Sequence, residues 1–167
     1  MATREHAQTG IDGLTGTLRR EQGTIALQQT LDRAGPVGRL ILAFVDVDGL
    51  KKVNDEQGHA SGDQLLRDVG EELTTCLGAD DVVVRYGGDE FLCALPGADS
   101  KIARQRFKHL AVNLTRRNPR ASVTVGVATL ENHDTLAQLT SRADADLYAR
   151  RRRARDEPGP LAGPRAA

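Results

Sequence analysis

Tryptophan is absent from this chain, and aromatic residues make up only 3% of its 167 positions. That leaves few rings on which nucleobases could stack, which argues against a single-stranded nucleic-acid binder. A surplus of either charge is also missing: 23 basic and 23 acidic side chains cancel, so no global field draws the protein to a polyanion or a membrane surface. Long hydrophobic runs are lacking. The longest, Leu40–Val45, falls far short of the roughly 20 residues of a membrane span, and residues 1–10 lack the apolar core of a secretory signal. Cysteine is scarce: Cys76 and Cys93 have no metal-ligand spacing and read as buried, reduced thiols, with a cytoplasmic location as the expectation. The length fits one domain able to bury a core without staples.

What is present is strongly patterned. Residues 1–9 carry no pattern and are expected to be disordered or a short helical lead-in. Asp12–Gly16 holds turn formers, and a helix is expected from about Leu18 to Ala34, where Gly35-Pro36 stops it. Leu40–Val45 is apolar throughout, as in a central strand covered on both faces, and it ends in Asp46-Val47-Asp48. A short polar helix (49–57) and a loop (58–63) precede a helix with Leu66, Val69, Leu73 and Leu77 on one face. Val82–Val84 and Phe91–Leu95 flank Tyr86-Gly87-Gly88-Asp89-Glu90 as a β-hairpin, with the glycines expected to take the positive φ angles of a tight turn. A helix capped by Asp99 or Ser100, a strand at 122–127 and a helix at 135–155 follow. Residues 156–167 read as a flexible Pro/Gly/Ala-rich tail. The order implies an α/β (α+β) sandwich: a central mixed, mostly antiparallel sheet with helices on both faces.

The chemistry concentrates at two acidic points. Asp46 and Asp48 close the central strand, and Asp89 and Glu90 sit at the hairpin tip; if the strands are neighbours, the carboxylates converge. Such a set binds a hard cation such as Mg²⁺, which shares oxygen ligands with phosphates. A merely solvated acidic strand end is equally consistent with the residues alone. Asn54 and Asp63 have the donors and acceptors to read a guanine edge, or they cap a turn and a helix. Arg151 and Arg155 lie one helical turn apart and can face one triphosphate, or they belong to a solvated basic face. Lys51, just past the acidic pair, can neutralise a phosphoryl group, and His59 stands between two glycines as a loop contact.

Five stretches together carry a resemblance: Asp12-x-Leu14-Thr15-Gly16; Asp46-Val47-Asp48-x-Leu50-Lys51-x-Val53-Asn54-Asp55; Gly58-His59-x-x-Gly62-Asp63; Arg85-Tyr86-Gly87-Gly88-Asp89-Glu90-Phe91; and Arg142-Ala143-Asp144-x-x-Leu147-Tyr148. In this order and spacing the chain resembles a GGDEF domain, the catalytic module of diguanylate cyclases, over residues 10–155. The resemblance implies a palm-like fold related to nucleotidyl cyclases. It implies one GTP per domain and a homodimer in which two GTP molecules condense to cyclic di-GMP and pyrophosphate. By the same resemblance, Asp46, the Val47 carbonyl, Asp89 and Glu90 are metal ligands for Mg²⁺, with Mn²⁺ as an alternative. Glu90 also activates the 3′-hydroxyl, and Lys51 stabilises the transition state. Asn54, His59 and Asp63 bind guanine and ribose; Gly87 and Gly88 give the triphosphate bare backbone; Arg151 and Arg155 meet its phosphates.

This chain departs from the family pattern at several points. Gly78 stands where an inhibitory Arg-x-x-Asp site needs its arginine, leaving only Asp81, so product inhibition there is expected to be absent. Leu50 replaces a phenylalanine, Thr17 departs from the usual signalling junction, Arg151 replaces a lysine, and Ala154 replaces a glycine, so that the helix is expected to continue to Arg155. With little before residue 10 to bring two copies together, the expectation is assembly by a separate partner, weak self-association or loss of cyclisation. Neither nucleic acid nor membrane is expected as a partner. The alternative is a weak or inactive GTP-binding module that acts as a regulatory or interaction domain.

Overall fold

A computed structural model of the chain describes residues 10–157, so the lead-in expected over 1–9 and residues 158–167 of the expected tail lie outside it. The elements run α1 (Arg20–Ala34), β1 (Leu40–Val47), α2 (Leu50–Gln57), α3 (His59–Cys76), β2 (Val82–Arg85), β3 (Glu90–Pro96), α4 (Ser100–Arg117), β4 (Val123–Thr129) and α5 (Leu136–Asp156). The sheet order is β2-β3-β1-β4, and every neighbouring pair is antiparallel. The mostly antiparallel expectation thus resolves into a wholly antiparallel sheet plus one isolated parallel bridge, Leu18 to Val84.

β1 is apolar because both of its faces are covered. Ile41, Ala43, Val45 and Val47 pack with Leu65, Val69, Leu110 and Leu114 of α3 and α4. Leu40, Leu42 and Phe44 pack with Leu27, Leu31, Leu139 and Leu147 of α1 and α5. Pleating sends alternate side chains to opposite faces, so Asp46 follows Leu42 and Phe44 toward the α1/α5 side. It is only 7% exposed.

Beyond shifts of one or two residues, such as β4 at Val123–Thr129 where 122–127 was expected, three boundaries have identifiable causes. The helix expected from Leu18 begins at Arg20, because residues 10–19 are a turn laid on the outer edge of β2: Leu18 N–H donates to Val83 C=O (3.0 Å) and Arg85 N–H donates to Leu18 C=O (2.9 Å). The expected loop 58–63 is the first turn of α3, since Gly58 alone, at φ +87°, ends α2 and starts α3; only glycine adopts that angle without strain. Asp63 is therefore inside the helix and does not cap it. Ala154 is helical and α5 runs on to Asp156, as its sequence implies and one residue into the expected tail. Both cysteines are free; Cys93 is buried and Cys76 only half-buried. Burial and the adjacent Glu72 push the Cys76 thiol up to about 11.

The N-terminal turn also braces the hairpin. Asp12 accepts from Thr15 N–H (2.9 Å), Thr15 Oγ1–H (2.7 Å) and Arg85 Nη1 (3.1 Å), and Arg85 Nη2 donates to Gly88 C=O (3.0 Å). Burial alone would raise the Asp12 carboxyl, but the Thr15 and Arg85 bonds outweigh it and hold it below the ordinary 3.8. An acid depressed on folding contributes stability that is present above its unfolded pKa and lost as pH falls through the folded one. Asp12→Ala is therefore expected to cost about 1–2 kcal/mol at neutral pH, mostly through the lost Thr15 bonds, since a pair this accessible adds little. Thermal melts should show the difference closing below pH 3.8; a gap unchanged there would refute the role of the charge.

Candidate functional site

The register of β1 against β3 places Asp46 opposite Glu90, and Val47 N–H donates to Asp89 C=O at 2.9 Å. Local pairing thus joins the two acidic points that sequence left 43 residues apart in the chain. Tyr86 and Gly87 N–H both donate to Glu90 C=O (2.8 and 3.1 Å), which closes the hairpin tip. Contrary to expectation, neither Gly87 nor Gly88 has positive φ. The Glu90 carboxylate instead lies over Gly87, where a Cβ would stand 2.6 Å from Glu90 Oε2 and push that carboxylate aside.

Asp46 and Glu90 hold their protons unusually tightly. Burial raises Asp46, the charges of Asp89 and Asp48 add to it, and Arg151 opposes it. Glu90 is raised by burial and by Asp46, Asp89 and Asp144, against the pull of Arg20. Asp46 Oδ1 is buried and accepts no hydrogen bond. Arg151 Nη2 lies 2.9 Å from it as an ion-pair contact. Asp48 differs: Ser122 Oγ–H and Thr124 Oγ1–H each donate to it at 2.8 Å, with Arg151 at 3.4 Å, so it fastens β1's end to β4.

The remaining predicted residues stand on α2, α3 and α5. Lys51 is exposed in the first turn of α2, His59 is exposed at the start of α3, and Asn54 and Asp63 are half-buried on those two helices. Asn54 and Asp63 are brought together by Gly62, where a Cβ would come within 1.7 Å of Asn54 Oδ1. The amide therefore lies directly on the α3 backbone, one residue from Asp63. Arg151 sits on the acidic pair itself. Arg155 is exposed one turn on and forms no ion pair among the described residues.

A buried carboxylate oxygen met only by a guanidinium, beside a second carboxylate, is donor chemistry that suits a hard cation once the guanidinium moves aside. Asp46, the Val47 carbonyl and Asp89 fit a divalent ion by that criterion. Among the described residues no three acidic, His or Cys side chains form a closed cluster, so backbone and ligand oxygens would complete the shell.

Sequence reading missed the Asp12–Arg85–Gly88 brace, the Asp48 clamp and the surroundings of Glu90. A cavity of about 880 Å³ between α1 and α5 is walled by Glu90, Arg20, Tyr86 and Asp144, and it includes none of the predicted nucleotide residues other than Glu90. Arg20 lies over the Tyr86 ring, 4.1 Å from its centroid, and Tyr86 meets Phe44 edge-on at 5.8 Å. Asp81 accepts from Gly78 N–H (2.6 Å) and Arg106 Nη1 (3.0 Å), so its carboxylate already has partners.

An antiparallel four-stranded sheet with helices on both faces carries a paired-acid hairpin against an Asp-x-Asp strand end: an α/β domain with its acidic residues gathered at one end of the central strands. The chain belongs to the GGDEF family, the diguanylate cyclase domain, whose family model matches residues 9–157. It is 31% identical over 153 residues to the diguanylate cyclase DgcP of Pseudomonas aeruginosa, covering 87% of this chain and 23% of that protein. It is also 32% identical over 148 residues to the cyclic di-GMP phosphodiesterase PdeR of Escherichia coli, covering 82% of this chain and 22% of that protein. The chain thus spans less than a quarter of the length of either relative. The GGDEF domain of DgcB from Caulobacter crescentus, solved in complex with c-di-GMP, superposes with a TM-score of 0.81 at 26% identity, covering 91% of this chain and 94% of that one. No helix among the described residues is long and apolar enough to cross a membrane.

Proposed function

We propose that this chain is a diguanylate cyclase that condenses two GTP molecules into cyclic di-GMP and pyrophosphate at a homodimer interface. The observation that carries the reading is the buried Asp46 carboxylate, whose Oδ1 meets only the Arg151 guanidinium, placed opposite Glu90 by the β1–β3 register and next to Asp89 by the Val47 N–H bond to the Asp89 carbonyl. Mg²⁺ or Mn²⁺ held by Asp46, the Val47 carbonyl and Asp89 would neutralise charge on the phosphates. Glu90, whose proton affinity burial and neighbouring acids raise, takes the 3′-hydroxyl proton. The 3′-oxygen forms its bond to the α-phosphorus of the opposite GTP as the bond to the β-phosphate breaks, and pyrophosphate leaves. The reciprocal attack closes the ring. Lys51 balances the developing phosphoryl charge; Asn54 and Asp63 hold guanine, with His59 at its rim. Arg151 swings from Asp46 to the triphosphate, with Arg155 one turn behind, and the reaction belongs in the cytoplasm, where GTP is.

The test is GTP turnover by the full chain with Mg²⁺, followed by chromatography. Cyclic di-GMP should form at a specific rate that rises with protein concentration, and a parallel coiled coil fused at the N-terminus should raise it further. A forced dimer that binds GTP yet yields no linear or cyclic dinucleotide would sink the enzymatic reading. It would leave the second reading, a GTP-binding regulatory module, which the Arg151 guanidinium already seated on Asp46 and Asp48 favours.

Guanine recognition has its own test. Gly62→Ala forces the Asn54 amide aside, and GTP affinity by calorimetry should fall about tenfold, the worth of a buried hydrogen bond. The melting temperature should hardly move, because the clash is with a side-chain end. Unchanged affinity would remove Asn54 from the base site.

A further inference from the structure

The sheet has two edges, and the chain treats them differently. The outer edge of β2 is bonded to the turn at 10–19 through Leu18. The outer edge of β4 has no strand beside it among the described residues. Leu130 N–H bonds to Leu40 C=O and Asp48 N–H to Ser122 C=O. With the β1–β4 register, this makes the even-numbered residues of β4 the bonded pairs and turns the backbone groups of Val123, Val125, Val127 and Thr129 outward. Side chains of α5 close the far half of that edge: Val127 N–H donates to Asp146 Oδ2 (2.8 Å) and Arg142 Nη1 donates to Thr129 C=O (3.0 Å). Val123 and Val125 remain open.

Beside them runs a groove of about 410 Å³ between β4 and α4. Val123, Val125, Val127 and Phe107 line it, and Arg104, Lys108 and Arg150 ring it. Arg104 and Arg150 share the single carboxylate of Asp146, at 3.5 and 3.1 Å. Lys108 has no acidic partner among the described residues. An unpaired strand edge beside a pocket for alternate side chains is what β-augmentation uses, and the cationic rim here would select an acidic strand.

We propose that the open half of the β4 edge, with α4 beside it, docks an extended acidic peptide of a partner protein as a fifth strand. Alternating acidic and β-branched residues fit best: backbone bonds to Val123 and Val125, aliphatic side chains on Phe107 and the valines, carboxylates on the rim. A second copy fits poorly, since pairing β4 with β4 would bring two cationic rims together. The chain's own residues 158–167 fit poorly too, with prolines at 158, 160 and 164 and no acid. The inference does not depend on turnover.

The probe is a fluorescein-labelled, end-blocked hexapeptide of alternating Glu and Val, titrated into the full chain by anisotropy and by amide-resolved NMR. Saturable binding below about 1 mM is expected, with the largest shifts at the Val123 and Val125 amides. The Lys/Val counterpart should not bind. Lys108→Glu should weaken binding about tenfold or more. Val125→Pro removes the central donor and should abolish binding while melting with the parent; should it unfold, Lys108→Glu and the shift map decide alone. No saturation by 1 mM, equal binding of both peptides, or shifts centred on the α5 C-terminus would overturn the proposal. So would tighter binding of an oligothymidylate, or a concentration-dependent dimer that buries β4.

Discussion

Replacing Asp89 with Ala is expected to cut cyclic di-GMP formation about a thousandfold or more, the scale of losing a main electrostatic stabiliser of a charged transition state. Its backbone carbonyl accepts from Val47 N–H, and that bond survives the substitution, so the loss should fall on chemistry and not on the hairpin. Stability should move the other way. Asp46 and Glu90 are both raised by burial and then by the Asp89 charge. A group raised on folding contributes stability that is full below its unfolded pKa and lost as pH rises through its folded one. Removing Asp89 lessens that loss, so the variant should melt at or slightly above the parent at neutral pH, with the two converging below pH 3.8. Turnover within tenfold of the parent would take Asp89 out of the metal site.

How much of this was legible beforehand depends on whether the cause was local. β1 was readable because burial on both faces forces an unbroken apolar run, and the two carboxylates that end it stand out against it. The meeting of Asp46 with Asp89 followed once the strands were taken as neighbours. The Asp12–Arg85 contact spans 73 residues, and nothing in the periodicity near either residue announces it. Asp48 was grouped with the converging carboxylates, yet two hydroxyls on β4 claim its oxygens. Gly87 was expected for its backbone angle, yet its φ is not positive and what lies over it is the movable Glu90 carboxylate, a neighbour that no local pattern announces. The loop at 58–63 was misjudged because a single left-handed glycine can replace a whole connection.

The spacing of α5 gives the second large effect. Leu139, Ala143 and Leu147 form a stripe at every fourth residue that seats the helix on the sheet, and the next member is Arg151, on Asp46 and Asp48. The seat depends on Gly126 of β4. A Cβ there would lie 2.2 Å from Ala143 O, 2.3 Å from Leu147 N and 2.8 Å from Leu147 Cα. These are backbone atoms, so no rotamer change relieves the clash and the helix must lift. Gly126→Val is expected to cost about 3 kcal/mol or more, lowering the melting temperature by roughly 6–12 °C for a domain of this size. Lifting α5 also carries Arg151 off the acids and Arg142 and Asp146 off the β4 edge. Hydrogen exchange should therefore quicken first along α5 and at the Val127 amide, while α3 and α4, on the opposite face, keep their protection. A melting point within 2 °C of the parent, or loosening spread evenly over both faces, would show that the Gly126 contact does not seat the helix that brings Arg151 to the site.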